Sequence, residues 1–430
     1  MSSTNFFARN LSTHFRQPSA RPAKQFPGRF QTFRALRHRD FRLLWIGLVI
    51  SAVGTWMQIV ARSLLVLKIT QGSSLALGAV SLIQALSFFV FALFGGSAAD
   101  RFDKRRLLFF TQSTSAALAV VLGILTITGT IQFWLILLVT FLDGTVLSFD
   151  QPARGALVPA LVPPEDLMNA LSLQSMVHNG ASMLGPALAG IAVGLVGYAG
   201  NFFLNAASFL GVLIALYMMR VPGRGGGPDP QPVIAAIRAG LRTVRSDTVL
   251  PWVLSGYASL LFLGPSAALI LPVFAVTVLH LDSERLGLLF SSSGMGTILG
   301  ALILASLGDS ARKGYLYFSG VLIWVCALIV FALSGWLWLS MIALVLSGVG
   351  QTFAGTTTMT LLQTRVPEQM RGRVMSLNTL LIMGVRPLGD FPAGALISAV
   401  GAPETVLLSA SLVGVYSALV FLIRRAIRSV

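Results

Sequence analysis

The chain has 430 residues, 55% of them hydrophobic and only 11% charged, with a mean hydropathy of +0.80. A soluble domain carries about 25% charged residues, so the composition excludes a soluble fold and makes lipid the solvent. The formal charge of +16, from 31 Lys and Arg against 15 Asp and Glu, would suggest nucleic acid in a soluble protein; here the placement of the charges explains it otherwise. In chain order, residues 1–32 come first, Arg-rich and free of acids. They read as a cytoplasmic tail beside anionic lipid, in preference to an organellar transit peptide. The lead-in "FRALRHRDFRLLW" places Phe33, Leu36, Phe41 and Leu44 on one helical face, with its arginines among headgroups.

Twelve apolar runs follow, beginning near Leu43, Leu75, Leu107, Phe133, Ala170, Asn201, Val249, Leu286, Tyr315, Trp336, Val374 and Thr405. Each is long enough for the roughly 20 residues that a span needs. They are continuous rather than alternating, which excludes a β-barrel. The expected fold is an all-α polytopic membrane protein. All but four of the Lys and Arg fall on one side, the exceptions being Arg62, Lys68, Arg285 and Arg386. This bias predicts both termini in the cytoplasm of a cell whose inner membrane holds the protein.

After the sixth run comes "RVPGRGGGPDPQP", whose Gly and Pro rule out regular structure, and then an amphipathic stretch from Val233 to Val244. The chain thus divides into a tail and interfacial helix (1–40), a six-helix half (41–220), a linker (221–247) and a second six-helix half (248–425). The halves are related. With an offset of 204 residues, Gly144, Ser172, Gly180, Gly185, Gly190 and Gly197 fall on Gly348, Ser376, Gly384, Gly389, Gly394 and Gly401. Six-plus-six spans with an internal repeat is the build of a secondary transporter.

The turn after span 2, "GGSAADRFDKRRLL", concentrates charge in an oily chain. A faint echo, "LGDSARKGYL", places Asp309 and Lys313 after span 8. The stretch resembles the loop 2–3 signature of the major facilitator superfamily, through Gly96, Asp100, Arg101, Lys104 and Arg105, with Asp103 where a second Gly is usual. Three further stretches, among them "PARGALVPALVPPEDLMNALSL" and "GPALAG", resemble the branch of enterobactin-type siderophore exporters and macrolide efflux proteins, and the resemblance covers about residues 38–425. It implies two pseudo-symmetric six-helix halves. It also implies a gate at one end, in which Asp100 docks near Arg373 and the start of span 11 while Lys104 pairs with Asp150. "NGASMLGPALAG" in span 5, with Gly180, Gly185, Pro186 and Gly190, resembles the signature of proton-coupled exporters. Ser182 stands where the branch often carries Arg; the matching part of span 11 carries Arg386 and Asp390.

A charge at mid-membrane costs at least about 2.5 kcal/mol and needs a reason. Asp143, mid-span 4, is the first candidate for proton coupling, followed by Asp390 and Asp150; a fixed salt bridge to Arg62 is the competing reading. Arg386 and Asp390 share a helical face, and mutual neutralisation is preferred over attraction of an anionic substrate. His178 and Asp150 form a possible gate pair. Gln58, Arg62, Gln84, Asp143, Tyr257, Gln351 and Arg386 are the cavity candidates, with Trp56, Phe88, Trp252, Thr356 and Thr357 beside them. Aromatic walls with scattered polar groups suit an amphipathic organic molecule.

The single Cys326, the four His and the absence of a Gly-x-x-x-x-Gly-Lys-Ser/Thr loop speak against a disulfide framework, a metal cluster or an ATPase. No enzymatic activity and no cofactor are expected. The reading is a monomeric, proton-driven antiporter that exports a drug, macrolide or siderophore, with substrate, protons and lipids as partners and no nucleic acid. A lysophospholipid flippase is the alternative.

Overall fold

The computed structural model describes residues 33–220, 233–308, 312–428 and 430, and these are helical throughout apart from short turns. The leading tail, the Gly/Pro part of the linker and the Asp309 echo lie outside the described residues. In lipid no water is available to satisfy the backbone, so each crossing must close its own hydrogen bonds as a helix. Span 1 is Arg39–Ile69, span 2 Ser74–Arg101, span 3 Lys104–Ile127 and span 4 Phe133–Leu157. Spans 5 and 6 share Leu167–Met218, broken at Gly197. Span 8 is Ser283–Leu307, span 9 Lys313–Leu333, span 10 Leu337–Arg365 and span 12 Ala402–Ile423. Spans 7 and 11 are interrupted. Span 7 is two helices, Leu250–Leu263 and Ala267–Thr277, and span 11 runs from Glu368 to Val400 through a π-helical turn at Leu381–Val385. The protein is thus a multi-pass membrane protein with twelve crossings among its described residues.

The repeat read from glycine spacing has a physical basis. Gly197 and Gly401 close the turns between spans 5 and 6 and between 11 and 12, at φ 69° and 103°. An L side chain rarely adopts such backbone, and glycine does so freely. Two further matched pairs mark equivalent close approaches, Gly144 with Gly348 and Gly185 with Gly389. A Cβ on Gly144 would overlap Ser87 of span 2, and one on Gly348 would overlap Ser293 of span 8. Gly185 lies against Val53 and Trp56 of span 1, and Gly389 against the backbone at Phe262 of span 7. Small residues let membrane helices approach and gain dispersion contacts where the hydrophobic effect offers nothing.

The loop 2–3 charges have local duties. Asp103 caps span 3, accepting the Arg106 amide at 2.9 Å, an arrangement worth about 1 kcal/mol. This accounts for the acid where the superfamily usually has Gly. Arg105 donates to the carbonyls of Leu216 and Tyr217, the latter at 2.8 Å, and so closes the C-terminal end of span 6, where a cation is favoured. The lead-in does not form one continuous helix. A short turn, Arg34–Arg37, breaks at His38, and both Arg34 and His38 reach Asp166 at the start of span 5, at 2.7 and 2.8 Å.

The two halves touch through span 2 on span 11 and span 5 on span 8. The basic end of the bundle carries the lead-in, the loop 2–3 turn and the linker; the other is called the far end. Bonds between halves cluster from the far end to mid-membrane. Ser74 Oγ donates to the Gly394 carbonyl at 3.0 Å and meets Ser398 Oγ at 2.9 Å. Ser63 Oγ donates to the Ala268 carbonyl at 3.2 Å, and Ser291 Oγ to that of Met183 at 2.7 Å. Among the described residues every ion pair stays within one half or its linker. The linker helix, Val233–Ser246, rests on the second turn of span 11, where Gly240 meets the Arg373 carbonyl. Arg365 pairs with Asp247 at 3.0 Å just beyond it.

Candidate functional site

Between the halves lies a cavity of about 420 Å³, within the size range of small-molecule sites. Its apolar wall includes Trp56, Val80, Phe290 and Met383. Its polar groups come from both halves: Arg62, Gln84 and His178 from the first, Gln351, Arg386 and Asp390 from the second. Far-end contacts close it on that side. Toward the basic end, a Cβ placed on Gly96 or on Gly180 meets open space.

Four of the seven cavity candidates, Arg62, Gln84, Gln351 and Arg386, line this chamber. The other three point elsewhere. Gln58 accepts from Asn205 of span 6 at 2.7 Å. Tyr257 is buried beside Gly355 of span 10. Asp143 turns to span 3, where Ser115 Oγ approaches it at 3.5 Å. It feels the Arg62 charge, yet no ion pair joins the two among the described residues, so the fixed salt bridge is not formed here. Trp252 lies under the Arg424 guanidinium at 4.0 Å, and Thr356 and Thr357 face a side pocket by Lys313.

Asp150 is buried, but its partners are neither Lys104 nor His178. It accepts from Thr111 at 3.1 Å and Gln112 at 2.7 Å, and pairs with Arg154 one turn on at 2.5 Å. His178 instead stands against Trp56, with ring centroids 6.0 Å apart, on the cavity wall. The Asp100 side chain lies outside the described set.

The expected neutralisation of Arg386 by Asp390 is also displaced. Asp390, 3% exposed, accepts the Ser266 amide at 2.8 Å and the Ser266 hydroxyl at 2.7 Å. Ser266 in turn caps the second helix of span 7 through the Leu269 amide. Ser81 of span 2 lines the chamber beside the same carboxylate. One carboxyl group therefore braces the break in span 7 from span 11. Sequence reasoning missed Ser266. Gly264–Pro265 followed by Ser266 was the available signal, since Gly-Pro stops a helix and Ser starts one.

Residues 30–429 match the family described as transmembrane secretion effector. The chain belongs to that family, within the major facilitator superfamily. As a secretion-effector family member it is a transporter, not an enzyme. Curated relatives include the enterobactin exporter EntS of Citrobacter koseri, 28% identical over 381 residues, covering 88% of this chain and 89% of the relative. EntS of Shigella flexneri is 27% identical, covering 88% of each chain. Among solved structures, a bacterial homologue of the human lysosomal transporter Spinster, inward-facing and unoccupied, superposes with a TM-score of 0.74 at 16% identity, over 90% of this chain and 97% of that one. A POT family transporter in complex with 5-aminolevulinic acid gives 0.75 at 13% identity, over 92% of this chain and 100% of that one. These likenesses carry the fold, and the secretion-effector fold is the major facilitator one.

Proposed function

We propose that this protein exports an amphipathic small molecule from the cytoplasm across the inner membrane by alternating access, in exchange for protons. The basic end faces the cytoplasm in this reading, because Lys and Arg are retained on that side. The present arrangement, bonded at the far end, is then the inward-facing, loading state. The observation that carries the reading is the central chamber: apolar walls, a few polar groups from both halves, and hydrogen bonds between the halves on its far side. Likeness to EntS relatives supports export as the direction.

Proton coupling is placed at Asp390 rather than at Asp143, the candidate favoured by depth alone. Asp143 is off the chamber, whereas Asp390 is on its wall and holds Ser266 at the break in span 7, with Ser81 of the opposite half beside it. A proton on one of its oxygens turns an acceptor into a donor, so the bond which that oxygen takes from Ser266 must reverse or be given up. The bracing of the break in span 7 would then change beside the contact between the halves, which links protonation to their rocking as an antiporter requires. The test is proteoliposome transport of a panel of dyes under an imposed pH gradient. Gradient-driven movement, sensitive to an uncoupler, is expected; Asp390→Asn should abolish it while dye binding persists. Uphill movement by Asp390→Asn at the normal rate would return the coupling role to Asp143 or Asp150.

A further inference from the structure

The charges of the central chamber do not cancel. Two guanidiniums line it, Arg62 from span 1 and Arg386 from span 11, against a single carboxylate, Asp390. That carboxylate is already engaged, both oxygens taking hydrogen bonds from Ser266. Arg62 is only 7% exposed; the Asp143 charge, off the chamber, acts on it without forming an ion pair, and its described hydrogen bond is a long one, 3.4 Å to Thr140 Oγ1. Arg386 is close enough for its charge to act on Asp390 and Tyr257, but among the described residues it has no hydrogen-bond or ion-pair partner. A guanidinium has five donors and stays charged. Placing one in a water-poor site is costly unless an anion meets it. His178, on the same wall, adds no negative charge.

Resting on the exporter reading, we propose that the transported compound is an amphipathic organic anion, its carboxylate or sulfonate held jointly by Arg62 and Arg386 and its apolar body laid on Trp56, Val80 and Phe290. Arginine suits this task because its planar fork matches a two-oxygen anion. The two cations belong to opposite halves. Rocking of the halves changes their separation, so a clamp made in the loading state is undone in the releasing state, and the affinity falls where release requires it. A cationic compound would meet like charge at the same place. The repeat makes the asymmetry plain: Arg386 matches Ser182, which also lines the chamber but carries no charge.

The probes are fluorescein and rhodamine 123, xanthene dyes of similar size and opposite charge. Binding is read by fluorescence anisotropy on purified protein in lipid nanodiscs. Fluorescein should bind at least about tenfold tighter than rhodamine 123, a preference of about 1.4 kcal/mol. Arg62→Gln and Arg386→Gln should each weaken fluorescein by a similar factor, while Arg386→Lys, which keeps the charge but not the fork, weakens it less than Arg386→Gln. Equal or tighter binding of rhodamine 123, or unchanged fluorescein affinity in both Gln variants, overturns the proposal. If a Gln variant does not reach the membrane, the two-dye comparison on the natural chain and the Lys variant still decide. Transport under a pH gradient is scored separately. Fluorescein bound as stated but not moved leaves the anion site standing and removes the exporter reading; preferred movement of rhodamine 123 does the reverse.

Discussion

Gly394 is where span 11 meets span 2 at the far end, and a single methyl group there should tilt the conformational balance. A Cβ on Gly394 would lie 2.6 Å from the Ser74 carbonyl oxygen and 3.3 Å from the Gly78 Cα. Both obstacles are backbone, so no change of rotamer relieves them. Overpacking of a close contact costs about 1–3 kcal/mol. Alanine also favours helix over glycine, but span 11 is helical in either conformation and that gain cancels. The cost falls on the state sealed at the far end, and its weight drops by about 5- to 150-fold relative to the opposite state. The assay uses Gln84→Cys, inside the chamber, in a Cys326→Ser chain, labelled by a membrane-impermeant maleimide applied from the far side. Gly394→Ala should raise the labelling rate at least about fivefold. Gly155→Ala, whose Cβ meets open space, is the control and should leave the rate unchanged. A rate in Gly394→Ala equal to or below that of its parent would refute the assignment of this contact to the seal.

Other expectations follow from local geometry. Asp103→Ala removes the cap of span 3 and should lower thermal stability by about 1 kcal/mol while dye binding in the chamber is retained. Asp150→Ala strands a largely buried Arg154 and should cost about 3–5 kcal/mol, seen as loss of folded protein in detergent; Asp150→Asn, which keeps the shape, should lose less. At Asp247 burial pushes the carboxyl upward, but the amides of Leu250 and Val249 and the Arg365 side chain outweigh it and hold the group below its ordinary value. A lowered folded-state pKa stabilises above the unfolded value of about 3.9 and is lost as pH falls through the folded value. The melting-temperature gap between the natural chain and Asp247→Asn should thus be constant from neutral to mildly acid pH and close only below about pH 4. Reporter fusions after Arg106 and Arg428 should read cytoplasmic, and one near Gln71 periplasmic; a cytoplasmic signal at Gln71 would overturn the orientation.

Crossings were legible in the sequence because membrane helices announce themselves by length and hydropathy alone. The repeat was legible because Gly197 and Gly401 meet a backbone demand that glycine meets best. Side-chain direction was not. A span in lipid is apolar on every face, so no amphipathic stripe says which side looks into the chamber. Gln58, Asp143 and Asp150 were read as site residues because polar groups are costly in a membrane, yet each is satisfied by a neighbouring helix: Asn205, Ser115, and Thr111 with Gln112. Arg386 differs from them in having no such partner among the described residues, and Arg62 has only the long bond to Thr140. The partner of Asp390 was hidden for another reason. Ser266 is 124 residues away and reaches it only because span 7 is broken there.

The matched turns at Gly197 and Gly401 bear on how the polypeptide is threaded. Each half crosses the membrane an even number of times and so returns to the face it entered from. Two such units joined head to tail need no inversion of the second copy, only a tether on the starting face. The linker after Arg220 is that tether, and its helix is moored to the second unit through Gly240 and Arg373. A chain cut at Gly226 would still present each half to the insertion machinery in its proper orientation, and reassembly would rest on the faces of spans 2, 5, 8 and 11.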